Sequence, residues 1–179
     1  MGRILLGMLL FTIDINLTQE NGRLIGLVPD FLGYLCVAWG MREMKHSSVY
    51  FAKGEFISMG VAVASGILYL MDLMGFSNVI NFTLLAVDML ELIGMLVLLF
   101  WIFRGVRDIE IEAQRDLRTD ALKIIWIALT VVSAVAYITS LIHAIGGIVS
   151  VAAAILAFCY ILAFYRCKVA YEEYMADQD

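Results

Sequence analysis

Charge is scarce in this sequence. Of its 179 residues only 16% are charged, two are histidine, three are cysteine and one is proline. Soluble domains carry about 25% charged residues, so the deficit excludes an ordinary soluble enzyme and a disordered tail. Cys36, Cys159 and Cys167 make no C-x-x-C and no even set, so neither a disulfide framework nor a thiol-redox centre is indicated. Also missing are H-E-x-x-H, a phosphate loop, G-x-G-x-x-G and G-x-S-x-G. No motif implies a cofactor. The formal charge is -5, from 12 Lys+Arg and 17 Asp+Glu. That balance predicts no basic face for phosphates and no nucleic-acid partner.

Hydrophobic residues fill the gap: they make up 63% of the chain, with a mean hydropathy of +0.91. The lipid bilayer is the partner such a composition demands. A bilayer core of about 30 Å takes about 20 apolar helical residues to cross. Six runs qualify or come close: 4–17, 24–41, 56–74, 79–103, 121–143 and 145–165. None shows the two-residue alternation of a membrane barrel. The expectation is an all-α, polytopic transmembrane bundle of about six helices forming one integral membrane domain over 1–179, with a charged loop at 104–120 and a short polar tail at 167–179. The first run is short and carries Asp14 and Asn16, which leaves a re-entrant reading open. The opening GRILLGMLLF resembles a secretory signal, but no small-x-small cleavage site follows, so it is read as a helix.

Positive charge predicts the orientation. With the N-terminus inside, every Lys and Arg except Arg23 falls on the cytoplasmic side, as the positive-inside rule describes. An N-in, C-in topology follows; if the first run does not cross, the N-terminus and Arg3 move outside. The loop 104–120 alternates charge signs, with Arg104/Asp108 and Glu112/Arg115 at helical spacing. That pattern suits a solvated helical extension and also a docking surface for a membrane or cytosolic protein.

Ionisable groups inside the membrane are costly and read as site candidates. On the third run Ser58, Ser65, Tyr69 and Asp72 share a face; on the fourth Asn81 and Asp88 do, with Glu91 beside them. On the fifth, Trp126, Thr130, Ser133 and Tyr137 form a stripe. On the second, Gly26, Gly33 and Gly40 recur every seven residues, and Asp30 and Tyr34 lie one turn apart. Small faces let helices approach closely, within the chain or in a homo-oligomer. At 1.5 Å per residue, Asp30 lies roughly 9 Å below the outer end of its helix, Asp88 roughly 14 Å and Glu91 roughly 18 Å. Asp14, Asp30, Asp72, Asp88 and Glu91 are therefore expected to converge on an acidic, outward-facing cavity lined by Tyr34, Tyr69, Asn81 and Tyr137. Only Arg23 is basic on that side, so the cavity suits a cation or an amine-bearing ligand. Asp88-x-x-Glu91 could offer two oxygens to a metal of the Mg²⁺ or Ca²⁺ class. Structural readings stand beside these: Asp14 and Asp72 at the water interface, Asp30 serving the helix start after Pro29, and Asp88 and Glu91 as interhelical hydrogen-bonding groups.

The stretch IDINLTQENGRLIGLVPDFLGY, followed by YLMDLMG, resembles a group of small multispan membrane proteins of clostridia and related Gram-positive bacteria. These carry D-x-N-L, an Asn-Gly loop, I-G-L-x-P-D-F-x-G-Y and a later Y-x-M-D-L-x-G. The matching residues include Asp14, Asn16, Pro29, Asp30, Gly33, Tyr34, Tyr69 and Asp72, over roughly the first 75 positions. The resemblance implies a multi-pass protein of a bacterial plasma membrane and brings no activity with it. Size and helix number are also similar to the substrate-binding subunits of energy-coupling-factor vitamin transporters, although the first run lacks their small-x-x-x-small docking face. Three readings of function follow: capture or transport of a cation or cationic small molecule; a non-catalytic scaffold or sensor acting through 104–120; and a metal-dependent lipid enzyme built on Asp88 and Glu91. Against the last stand the missing nucleophile and histidine cluster.

Overall fold

The structure, a computed structural model, describes residues 1–12, 16–18, 24–26, 29–74, 81–139 and 143–177, with 16–18, 24–26, 72, 81–88, 143–147 and 150 described by their backbone alone. Six helices carry the described fold: α1 Gly2–Thr12, α2 Asp30–Met44, α3 Val49–Met74, α4 Asn81–Ala113, α5 Thr119–Thr139 and α6 His143–Ala176. Two compact units divide the chain, Met1–Ile102 and Phe103–Asp179.

In the first unit α1 and α2 form an antiparallel hairpin. Arg3 pairs with Glu43 at 2.5 Å, so the N-terminus lies at the same end of the hairpin as the last turn of α2. Gly33 and Gly40, two of the glycines at seven-residue spacing, face α1: a Cβ on Gly40 would sit 2.6 Å from Ile4 Cγ1. With no side chain to hold them apart, the two helices bury Ile4, Met8, Val37 and Met41.

Between these helices the backbone departs from the expected spans. Asn16–Thr18 (β1) pairs antiparallel with Leu24–Gly26 (β2), in the register Asn16↔Gly26, Leu17↔Ile25 and Thr18↔Leu24. The runs 4–17 and 24–41 are thus each divided between a helix and a strand. Pro29 helps explain the second: it precedes α2 with φ -65° and ψ 127°. A proline has no N–H to give and biases the residue before it away from helix. What is left of each run is short: α1 has 11 residues and α2 has 15, roughly 16 and 22 Å long at 1.5 Å per residue.

Four helical segments are long and apolar enough to cross a membrane: Val49–Met71, Met89–Ala113, Thr119–Thr139 and Val151–Ala176. They correspond to the third to sixth runs. Ser48 starts α3 by accepting the Tyr50 N–H on its hydroxyl at 3.1 Å, the usual service of a serine at a helix start. α3 returns along α2, with Gly54 against Met41 and Gly66 against Phe31, while Gly94 of α4 faces Val61. Large apolar side chains cover the outside, among them Phe56, Val63, Ile67 and Ile93. An exterior of this kind is stable when acyl chains cover it.

In the second unit α5 packs on α6, burying Leu122, Leu129, Ser133, Tyr160, Phe164 and Cys167. The predicted polar stripe of α5 turns inward: Ser133 is buried and Trp126, Thr130 and Tyr137 are half-buried, while Ile124, Val131 and Ile138 are exposed. Thr130 donates its hydroxyl to the Trp126 carbonyl at 2.9 Å, so a polar group is satisfied within its own helix.

Candidate functional site

Of the expected site residues, Asp30, Tyr34, Tyr69 and Glu91 lie in the first unit with their side chains described. Tyr34 is the most deeply buried of the four. The ring is 3% exposed and stacks on Phe11 with centroids 4.9 Å apart and planes 12° from parallel. From α3, Ser58 donates its buried hydroxyl to the Tyr34 carbonyl at 2.7 Å, which fixes the depth of this turn of α2. Two of the expected carboxyl groups have described side chains, those of Asp30 and Glu91. They come from different helices: Asp30 from the first turn of α2 and Glu91 from α4, sixty residues later. Asp30 stands in the first turn of α2, where the helix dipole favours negative charge, and the helix start at Pro29 has no side-chain capping bond.

Among the described residues Glu91 is the one charged side chain lining an apolar groove of about 320 Å³ between α3 and α4, whose walls include Ile57, Val61, Leu90 and Gly94. Tyr69 meets Phe31, the residue after Asp30, edge-on at 6.0 Å across the α2–α3 contact. Asp30, Tyr34, Tyr69 and Glu91 are the predicted residues that the first unit gathers. Tyr137 belongs to the second unit. Asp14 lies outside the described residues, and the side chains of Asp72, Asn81 and Asp88 do as well. Among the described residues no group of three or more His, Cys, Asp or Glu side chains gathers as a metal cage.

No family model, curated protein or solved structure matches this chain.

Two further features escaped the sequence reading. The first is local positive charge. Around the shared end of α1 and α2, Arg3, Arg42 and Lys45 border one depression, although the net charge of the chain predicted no basic face. A net charge averages over the whole surface, whereas the hairpin brings together cations some forty residues apart. Nearby, Lys53 lies 5.9 Å from the Tyr50 ring and 5.4 Å from Trp101, while these two rings stack on each other at 5.3 Å.

The second is the engagement of the charged segment 104–120 with its own unit. Its first ten residues continue α4 to Ala113. Glu110 then accepts the Leu117 N–H at 2.8 Å and the Thr119 hydroxyl, closing the turn that starts α5. Arg115 pairs with Asp177 at 2.8 Å and lies 5.9 Å from the Tyr174 ring. The i,i+3 spacing of Glu112 and Arg115 gave no hint of this longer-range partner.

Proposed function

We propose that this is a small multispan membrane protein that captures a cation or a cationic small molecule at an acidic site formed by Asp30, Tyr34, Tyr69 and Glu91. The observation that supports the reading is that Tyr69 packs edge-on against Phe31, the neighbour of Asp30, at 6.0 Å, while Glu91 sets a carboxyl group in the apolar groove between α3 and α4 of the same unit. Two carboxyl groups from different helices, set among aromatic rings, attract a positive charge and can hold an amine by charge and by ring faces together. The proposed setting is N-in and C-in in a bacterial plasma membrane. The charge distribution supports the orientation, and the P-D-F-x-G-Y resemblance supports the membrane. Because Arg3 lies beside Glu43, the α1–α2 hairpin starts and ends on one side, whether it crosses the bilayer or re-enters. The four longer helices then return the C-terminus to that same side.

The test is a thermal-shift screen of the detergent-purified protein with divalent cations, polyamines and cationic vitamins, alongside Asp30→Asn and Glu91→Gln. A compound at 100 times its Kd adds about 2.7 kcal/mol of stability. The expected result is one class of cation that raises the melting temperature of the parent and fails with both variants. No shift with any compound, or a shift that survives both substitutions, overturns the reading.

A further inference from the structure

The geometry points to a binding site for an anionic phospholipid at the open end of the α1–α2 hairpin, where α1 begins and α2 finishes, separate from the acidic site. The depression there encloses about 740 Å³ and is lined by Arg3, Leu6, Cys36, Trp39, Arg42, Glu43 and Lys45. Its chemistry is graded along the helix axes. Leu6, Cys36 and Trp39 form the apolar part, and Leu6 and Trp39 are about half exposed, at 52% and 54%. One turn further along, Arg3 on α1 and Arg42 and Lys45 at the end of α2 form a cationic rim. The order runs from apolar to aromatic to cationic, as in a phospholipid from acyl chain through glycerol to phosphate.

Charge favours an anion at the rim. Three cations face one carboxylate in the lining, that of Glu43, which engages Arg3. Among the described residues Arg42 makes a long contact to Glu55, 3.9 Å from its Nε. Arginine presents five N–H donors and lysine three, so these partners leave donors available for phosphate oxygens. Trp39 adds an amphipathic ring of the kind that settles at headgroup level. Basic recesses between membrane helices on the cytoplasmic side take anionic headgroups, and an apolar floor excludes a free phosphate as the natural occupant.

Trp39 is also the reporter. The protein is reconstituted in phosphatidylcholine vesicles with a rising fraction of brominated phosphatidylglycerol or brominated phosphatidylcholine. Quenching of Trp39 is the difference in quenched fluorescence between the parent and Trp39→Phe. The expected result is half-maximal quenching at a far lower mole fraction of brominated phosphatidylglycerol than of brominated phosphatidylcholine. In Arg42→Gln/Lys45→Gln the phosphatidylglycerol midpoint should rise about 25-fold, from about fivefold per cation removed. Equal quenching by the two lipids overturns the proposal, and so does quenching that glycerol phosphate or inorganic phosphate competes away at millimolar concentration. If the double variant does not fold, the comparison of the two lipids on the parent decides.

Discussion

Gly7 and Gly33 meet backbone to backbone where α1 crosses α2. A Cβ on Gly7 would lie 2.5 Å from the Gly33 carbonyl oxygen, and one on Gly33 would lie 2.8 Å from the Gly7 carbonyl oxygen. Main-chain atoms cannot swing aside as a flexible side chain can. This contact therefore sets how closely the hairpin closes, and through it the position of Tyr34, one residue on.

A side chain at this crossing must push the helices apart. Gly33→Val should cost at least about 1–3 kcal/mol, the usual penalty of overpacking, and lower the melting temperature in detergent. Gly60 offers the control, since a Cβ there meets nothing within 4 Å. Gly60→Ala should be neutral or gain about 0.5–1 kcal/mol from helix propensity. Equal melting temperatures for Gly33→Val and the parent would contradict the close approach.

The bond from Ser58 to the Tyr34 carbonyl is the second determinant of that position. Ser58→Ala should cost about 0.6–1.7 kcal/mol, the range of hydrogen bonds between membrane helices. Unfolding in sodium dodecyl sulfate mixed with a mild detergent measures it. The same substitution should weaken cation-induced stabilisation, because it loosens the turn that carries Tyr34; undiminished stabilisation would argue against that link.

Glu110 closes the α4–α5 turn through Leu117 and Thr119. Losing a helix-start interaction costs about 0.5–2 kcal/mol, and Glu110→Ala should fall in that range. Trypsin gives a local readout: cleavage after Arg115 and Arg118 should accelerate in the variant. An unchanged digestion pattern would show that other contacts hold the turn.

Gln114 and Arg118 adopt positive φ angles of 51° and 61°, on either side of the same turn. A left-handed residue other than glycine carries about 1–2 kcal/mol of steric cost. Gln114→Gly should raise the melting temperature. A fall would mean that the glutamine side chain contributes more than the backbone relief.

The hairpin makes a topological prediction. With Cys36, Cys159 and Cys167 replaced by serine, single cysteines at Gly2→Cys and Lys45→Cys should react with a membrane-impermeant maleimide from the same side of the membrane. Labelling from opposite sides would rule out the Arg3–Glu43 arrangement.

Much of this architecture is legible along the chain. The third to sixth runs become α3 to α6 because long stretches of Leu, Ile, Val and Ala leave helix as the backbone's way of satisfying its own polar groups in lipid. The α5 stripe can be read from its spacing, and so can the close approach at Gly33 and Gly40. The β1–β2 ladder is hidden because three-residue strands inside apolar runs look like continuations of helices. The partners of Arg115 and Glu110 depend on where a turn points, which spacing on a single helix does not encode.

Composition and periodicity by themselves determine that this chain belongs in a membrane, that helices carry it and which helix faces turn inward. They act locally, through hydropathy and the 3.6-residue repeat. Tertiary structure alone decides which distant residues become neighbours. It sets Asp30, Tyr34, Tyr69 and Glu91 in one compact unit, pairs α1 with α2 as an antiparallel hairpin, and gathers Arg3, Arg42 and Lys45 in a chain of net negative charge. The physical reason is that electrostatics depends on distance in space, and that distance is set by how closely backbones such as those at Gly7 and Gly33 can approach.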